Sequence, residues 1–192
     1  APGNSPGIMP ITGSYTLAAA GALQIEINGT LAGTQYDQVK VQGAASTVTL
    51  AGTLDLLAAP ALAAGSTFTI LDNAGSAAVS GNFVNLPQGA EFYEDSQWWR
   101  ISYTGGTGND AVLTRINPTP TQTWQAANFG TNANNPAISG DLADPDPDAY
   151  AVHATWATCL LVIVKYGAGA VSLDVAAERF TAVRNASKQS HA

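Results

Sequence analysis

From Pro10 to Ile116 the chain breaks into short runs in which apolar and polar residues alternate, separated by glycine, asparagine and proline. In Leu23-Gln24-Ile25-Glu26-Ile27-Asn28 the alternation has period two. That period places every second side chain on one face of a strand, so one face is buried and the other meets water. Thr47-Val48-Thr49-Leu50 and Thr67-Phe68-Thr69-Ile70 repeat it. The pattern predicts strands at Ser14–Leu17, Ala22–Asn28, Gln35–Val41, Ser46–Leu50, Thr53–Leu57, Thr67–Leu71, Ala78–Phe83, Trp98–Thr104 and Asp110–Ile116. Turn signals fall between them, among them Asn28-Gly29, Gln42-Gly43, Ala51-Gly52 and Asn73-Ala74-Gly75.

Strands spaced by roughly 8–12 residues predict an all-β fold: a sandwich, a barrel or a solenoid. The small unit Leu50-Ala51-Gly52-Thr53-Leu54, set beside Asn28–Thr34, favours a parallel β-helix or β-solenoid-like terminal portion, with a β-sandwich as the alternative. A rung of that kind cannot bury its apolar face alone, so neighbouring rungs supply the core. Composition agrees with exposed pleated surface: 46% of residues are hydrophobic and only 11% charged. Threonine sits easily on such a surface because its β-branch fits a half-buried strand.

The expected organisation is three-part: residues 1–116 as the solenoid-like portion, 117–122 as a stiff Pro/Thr linker, and 123–192 as a short C-terminal segment. Asn117-Pro118-Thr119-Pro120-Thr121 reads as extended, because proline fixes its own backbone and restricts the residue before it. Thr131–Asp148 reads as loop, and Val175–Arg184 as a short helix. Ala149–Val164 falls short of the about 20 apolar residues that a spanning helix needs. Carrying it further brings Lys165 into the span, so a membrane anchor is not expected.

Charge excludes some partners. The formal net charge is −7, from 14 acidic and 7 basic residues, and no basic patch offers the electrostatics that nucleic acid requires. Cys159 stands alone, so no internal disulfide or multi-cysteine zinc site is available. Both histidines, His153 and His191, fall after residue 149, which leaves the strand region without an imidazole base. Its acidic residues are scattered as Glu26, Asp37, Asp55 and Asp72, with one group at Glu91, Glu94 and Asp95. Neither a paired-carboxylate site nor a Gly-x-Ser-x-Gly elbow is present, so the chain reads as non-enzymatic.

Three constellations remain as candidate sites. Asp144, Asp146 and Asp148 have the spacing of the first three ligands of a calcium loop, to which Asp141 could add an oxygen. Such a loop needs glycine at its sixth position and a bidentate acid at its twelfth. Here those positions hold Ala149 and Thr155, so a solvated acidic loop is the simpler reading, and calcium is the one cofactor left open. Gly105-Gly106-Thr107-Gly108-Asn109-Asp110 matches one calcium nonapeptide. Because such sites form between successive copies, a tight hairpin turn is favoured instead. Phe92, Tyr93, Trp98, Trp99 and Tyr103 form an aromatic cluster, in which Trp98, Trp99 and Tyr103 are candidate glycan contacts. Alternation puts Trp98 and Trp99 on opposite faces of a strand, so capping of a core is the plainer account.

Six phrases follow one another along residues 1–116: Gly3-Asn4-Ser5-Pro6-Gly7, Gly13-Ser14-Tyr15-Thr16-Leu17, Leu23–Thr30, Gly33-Thr34-Gln35-Tyr36-Asp37-Gln38-Val39, Gly65–Leu71 and Ile101–Thr114. In their order they resemble the closing portion of an autotransporter-associated β-strand-repeat passenger. In this setting Tyr36-Asp37 reads as turn geometry. The resemblance implies a parallel β-helix in a very large exported bacterial protein, with upstream repeats of the same chain as its partners and no catalytic residues. Trp124–Gly130 and Gly140–Asp146 are similar to the short module that follows such passengers, and the match stops between Asp146 and Lys165. The expectation is a non-catalytic structural or display segment, extracellular or on the cell surface, exported by a signal upstream of Ala1. The alternative is a module binding surface glycan or calcium.

Overall fold

A computed structural model describes residue 2, residues 6–59 and residues 62–139. The chain divides into two units, Ala1–Ala133 and Asn134–Ala192. In the first unit the strands are β1 (Ile8–Thr12), β2 (Tyr15–Leu17), β3 (Ala22–Ile27), β4 (Gln38–Gln42), β5 (Val48–Leu50), β6 (Thr53–Ala58), β7 (Thr67–Asn73), β8 (Ser80–Gly81), β9 (Glu91–Glu94), β10 (Gln97–Gly105) and β11 (Asp110–Arg115). The described fold is thus all-β apart from short helices. Each of the nine expected segments holds a strand, although in Gln35–Val41 the continuous strand begins only at Gln38, after a single bridge at Tyr36, and Ala78–Phe83 contracts to two residues. Alternation works as read on β3, where Leu23, Ile25 and Ile27 are buried while Gln24 and Glu26 lie at the surface side.

Pairing follows a rule of threes. β1 pairs in parallel with β4 and β4 with β7; β2 pairs with β5 and β5 with β8; β3 pairs with β6. Paired residues lie 30 to 33 apart: 30 for β1 and β4, 31 for β3 with β6 and for β5 with β8, 32 for β4 and β7, and 33 for β2 and β5. Like side chains are therefore laid on like: Leu23 on Leu54, Ile25 on Leu56, and Leu17 on Leu50. On the wet side Lys40 faces Asp72 at 3.0 Å and the Gln24 amide donates to Asp55 at 2.8 Å.

The copies are not the ones first apparent in the sequence. Leu50–Leu54 registers with Leu17–Leu23 and not with Asn28–Thr34. The first copy has Ala18, Ala19 and Ala20 where the second has Ala51 alone, and this hides the match. The second copy needs glycine at that corner: a Cβ on Gly52 would lie 2.3 Å from the Gly21 carbonyl oxygen. Such an approach is open only to a residue without a side chain.

Beyond β7 the pairing changes sense. β11 runs antiparallel to β7, β10 to β11 and β9 to β10, completing a six-stranded sheet in the order β1-β4-β7-β11-β10-β9. Residues between Gly105 and Asp110 make the expected hairpin turn. Gly106 and Gly108 take positive φ there (54° and 102°), the region that glycine enters without strain. The core joins the parallel and antiparallel parts. Phe68 of β7 meets Tyr36 edge-on at 5.5 Å and Trp99 of β10 at 5.9 Å. Ile70, Leu71, Ile101 and Leu113 are fully buried around them. Burying each such side chain contributes about 1.5–3 kcal/mol.

The Pro/Thr stretch is extended only as far as Thr119. Pro120–Phe129 forms a helix, α1, with Thr119 as its N-cap. The Thr119 hydroxyl accepts from the Gln122 N–H (3.2 Å), and the Gln122 side chain accepts from the Thr119 N–H (2.9 Å). Proline at the first helical position costs nothing, because its missing N–H would be unpaired there anyway. A 3-10 turn at Gly130–Asn134 follows. In the second unit the described residues hold one helical turn, Pro136–Ser139, in which the Ser139 hydroxyl donates to the Asn135 carbonyl at 3.1 Å.

Candidate functional site

Trp98, Trp99 and Tyr103 all stand on β10, and their neighbours on β9 are Tyr93 and Phe92. The strand does send Trp98 and Trp99 to opposite faces, yet both faces are covered. Exposure is 5% for Trp98, 0% for Trp99 and 6% for Tyr103. Stacking on a sugar needs an open ring face, and these rings have theirs against protein. The Trp99 indole N–H donates to the Glu94 carbonyl at 3.2 Å while its ring packs on Phe68. Trp98 lies 5.6 Å from the Tyr93 ring, and its indole N–H is buried without a hydrogen-bond partner.

Tyr103 is a link between segments. Its hydroxyl donates to the Leu86 carbonyl (2.7 Å) and accepts from the Phe83 N–H (3.0 Å). Burial pushes the hydroxyl up to about 12, and the Phe83 bond opposes this only in part. The phenol therefore stays neutral and serves as a fastening between the segment around Phe83 and β10.

The acidic residues among the rings have separate roles. Arg100 pairs with Glu91 at 2.6 Å, and the Gln122 amide of α1 donates to the other Glu91 oxygen at 2.7 Å. Those two bonds, Arg100 first, hold the Glu91 carboxyl below its ordinary value. Glu94 moves the other way: burial raises it, and Asp55 and Asp95 raise it further. Asp95, exposed and at positive φ (46°), accepts the Ala58 N–H at the end of β6. No three acidic, histidine or cysteine side chains among the described residues converge as a metal group. Asp144, Asp146 and Asp148 lie outside the described residues, as does Ala149–Val164. No helix among the described residues is long and apolar enough to cross a membrane.

Two aspartates matter more than the sequence suggested. Asp37 is 0% exposed. Its two carboxylate oxygens accept the Gly7 N–H at 2.7 Å and the Glu26 N–H at 2.9 Å. Asp110 accepts the Asn73 N–H at 2.8 Å. Burial raises its carboxyl, the Asn73 bond lowers it and Asp72 raises it, for a net upward shift. Beside it the Asn109 amide donates to the carbonyls of Asn73 and Gly75 and accepts from the Thr107 hydroxyl. The signal in the sequence was an acid in a turn phrase at Tyr36-Asp37 and at Asn109-Asp110. An acid so engaged secures backbone N–H groups that the strands leave unpaired.

No family model, no curated protein and no solved structure matches the chain.

Proposed function

We propose that this chain is a non-catalytic structural and display segment, the terminal portion of a parallel β-solenoid in a large exported bacterial surface protein. The observation that carries the reading is the recurrence of parallel pairings, five among the described strands, at offsets of 30 to 33 residues. Stacked rows of this kind make a stiff support whose mechanism is physical: ladder hydrogen bonds and apolar rows in register. The engagement of Trp98, Trp99, Tyr103, Asp37 and Asp110 in packing or backbone bonds supports a structural role over a binding one. The phrase resemblance supports the surface setting and upstream repeats as neighbours in the same polypeptide.

The test has two arms. Intact cells producing the parent protein, probed with an antibody raised against residues 6–116, should label without permeabilisation; labelling only after lysis sinks the surface assignment. Calorimetry of the chain with calcium, and a glycan array, should both be silent. Micromolar calcium affinity, or a glycan signal lost in Trp98→Ala, would replace the structural reading with the binding one.

A further inference from the structure

An asparagine loses its side-chain amide when the main-chain nitrogen of the next residue reaches the amide carbon. The reaction is intramolecular, so it is governed by access: an exposed amide, a free nitrogen, and no Cβ on the following residue to obstruct the approach. Asn28 meets all three conditions. It is exposed at the end of β3, where residues 28–31 form a bend, and Asn28-Gly29 is the one Asn-Gly step in the sequence. The Gly29 N–H makes no hydrogen bond among the described residues. Packing keeps the glycine in place: a Cβ there would lie 2.5 Å from Gln35 Oε1, the atom that accepts the Leu31 N–H at 3.2 Å. Asn73 and Asn109 offer the contrast. They are 2% and 4% exposed, their side-chain amides donate to main-chain carbonyls, and Ala74 and Asp110 follow them.

We propose that Asn28-Gly29 is a self-modification site, at which the chain converts Asn28 to aspartate and isoaspartate with water as the co-reactant. The Gly29 nitrogen attacks Asn28 Cγ, a C–N bond forms and the Cγ–Nδ2 bond breaks. Nδ2 leaves as ammonia, taking up the proton that Gly29 gives to solvent. Water then opens the cyclic succinimide. Attack at Cγ yields aspartate, and attack at the main-chain carbonyl yields isoaspartate, whose backbone runs through Cγ. Either product sets a new negative charge beside Glu26, whose Oε1 accepts the Asn28 amide at 2.6 Å. A hydrogen bond thus becomes a like-charge contact. Isoaspartate also lengthens the main chain by one carbon next to the Asn28 N–H, which donates to the Gln35 carbonyl at 2.6 Å. Residues 28–37 therefore loosen from the end of β3 as the protein ages. The site goes beyond the proposed function and does not need the solenoid reading, since the chemistry requires no partner.

Peptide mass spectrometry on the full chain, held folded at mildly alkaline pH and sampled over time, reads the conversion directly. The peptide carrying Asn28 should gain one mass unit at that residue and split into two chromatographic forms, while Asn73 and Asn109 stay intact. Gly29→Ala should slow the conversion at least ~10-fold, because its Cβ obstructs the attacking nitrogen. That Cβ meets the end of the flexible Gln35 side chain, so Gly29→Ala combined with Gln35→Ala is run beside it to keep a folded sample. Thermal melting reads the consequence: aged parent protein should melt below fresh protein, whereas Asn28→Ala protein should melt alike before and after ageing. An Asn28 amide that survives while Asn73 or Asn109 is converted would overturn the site, as would Gly29→Ala chains that age as fast as the parent. Full conversion with an unchanged melting temperature would overturn the loosening.

Discussion

The parallel strands and the antiparallel strands that follow β7 are held by different means. After β7 the chain spends three strands on closure. β11 takes up the free edge of β7, β10 and β9 extend the sheet, and side chains from this part reach the remaining loose backbone. Asp95 accepts the Ala58 N–H, the Gln97 amide donates to the Ala59 carbonyl, and Tyr103 joins Phe83 to Leu86. Among the parallel strands one carboxylate, Asp37, ties the start of β1 to β3 by accepting the Gly7 and Glu26 N–H groups. Fastening by strands is redundant and rich in buried area, whereas Asp37 concentrates its fastening in a single side chain. The second design should be the more fragile per residue and the first per volume removed.

Four substitutions put that contrast to the test, and the largest loss is expected among the antiparallel strands. Trp99→Ala removes a fully buried ring packed on Phe68, and truncations of this kind cost about 3–5 kcal/mol. Urea denaturation should show the loss; a change below ~1 kcal/mol would mean that β10 is not integral to the core. Asp37→Ala comes next, at about 2–4 kcal/mol, since it strands the Gly7 and Glu26 N–H groups in a dry site. If it costs less than Tyr103→Phe, the claim that the tie between β1 and β3 depends on one residue fails. Tyr103→Phe keeps the ring and loses two hydrogen bonds, for about 1–2 kcal/mol in the same assay.

The smallest effect concerns pH. The carboxyls of Asp110 and Glu94 are raised in the folded protein, so the folded state binds their protons more tightly than the unfolded chain does. Their charged forms therefore oppose folding near neutrality, and that opposition is relieved as pH falls through the raised folded values. Glu91, held low, contributes in the opposite sense: its stabilisation is present above the unfolded value and is lost as pH falls through the folded one. Asp110→Asn should flatten the rise in melting temperature on mild acidification; an unchanged slope would remove Asp110 from the account.

Alternation revealed β3, β5 and β7 because their period-two rows face a single core, and the hairpin at Gly105–Asp110 was legible from its glycines. β1 escaped because Pro10 interrupts an otherwise strand-like run, and proline is compatible with a strand only at an edge, which is a property of the assembled sheet. β9 escaped because Glu91-Phe92-Tyr93-Glu94 flows into a turn with Asp95 and Ser96 at positive φ, a strain that only tertiary context supports. The partnering of strands was hidden by offsets that shift between 30 and 33, so no fixed period stands out. The aromatic residues were found, and their opposed faces were read rightly. That both faces of β10 are covered depends on distant segments, which no local pattern encodes.

The spacing of the pairings also orders the assembly of the molecule in time. Joining β10 to β11 closes a turn of a few residues, whereas each parallel pair must first close a loop of 30 residues or more. The entropy of closure grows with the logarithm of loop length, which favours the hairpin by about 1.5 kcal/mol before any packing is counted. The hairpin is thus the cheapest nucleus, and β7 then finds on β11 an edge already straightened for it. The part of the β-region that leaves the ribosome last is the part that organises first, and the parallel strands are recruited onto it backwards along the chain.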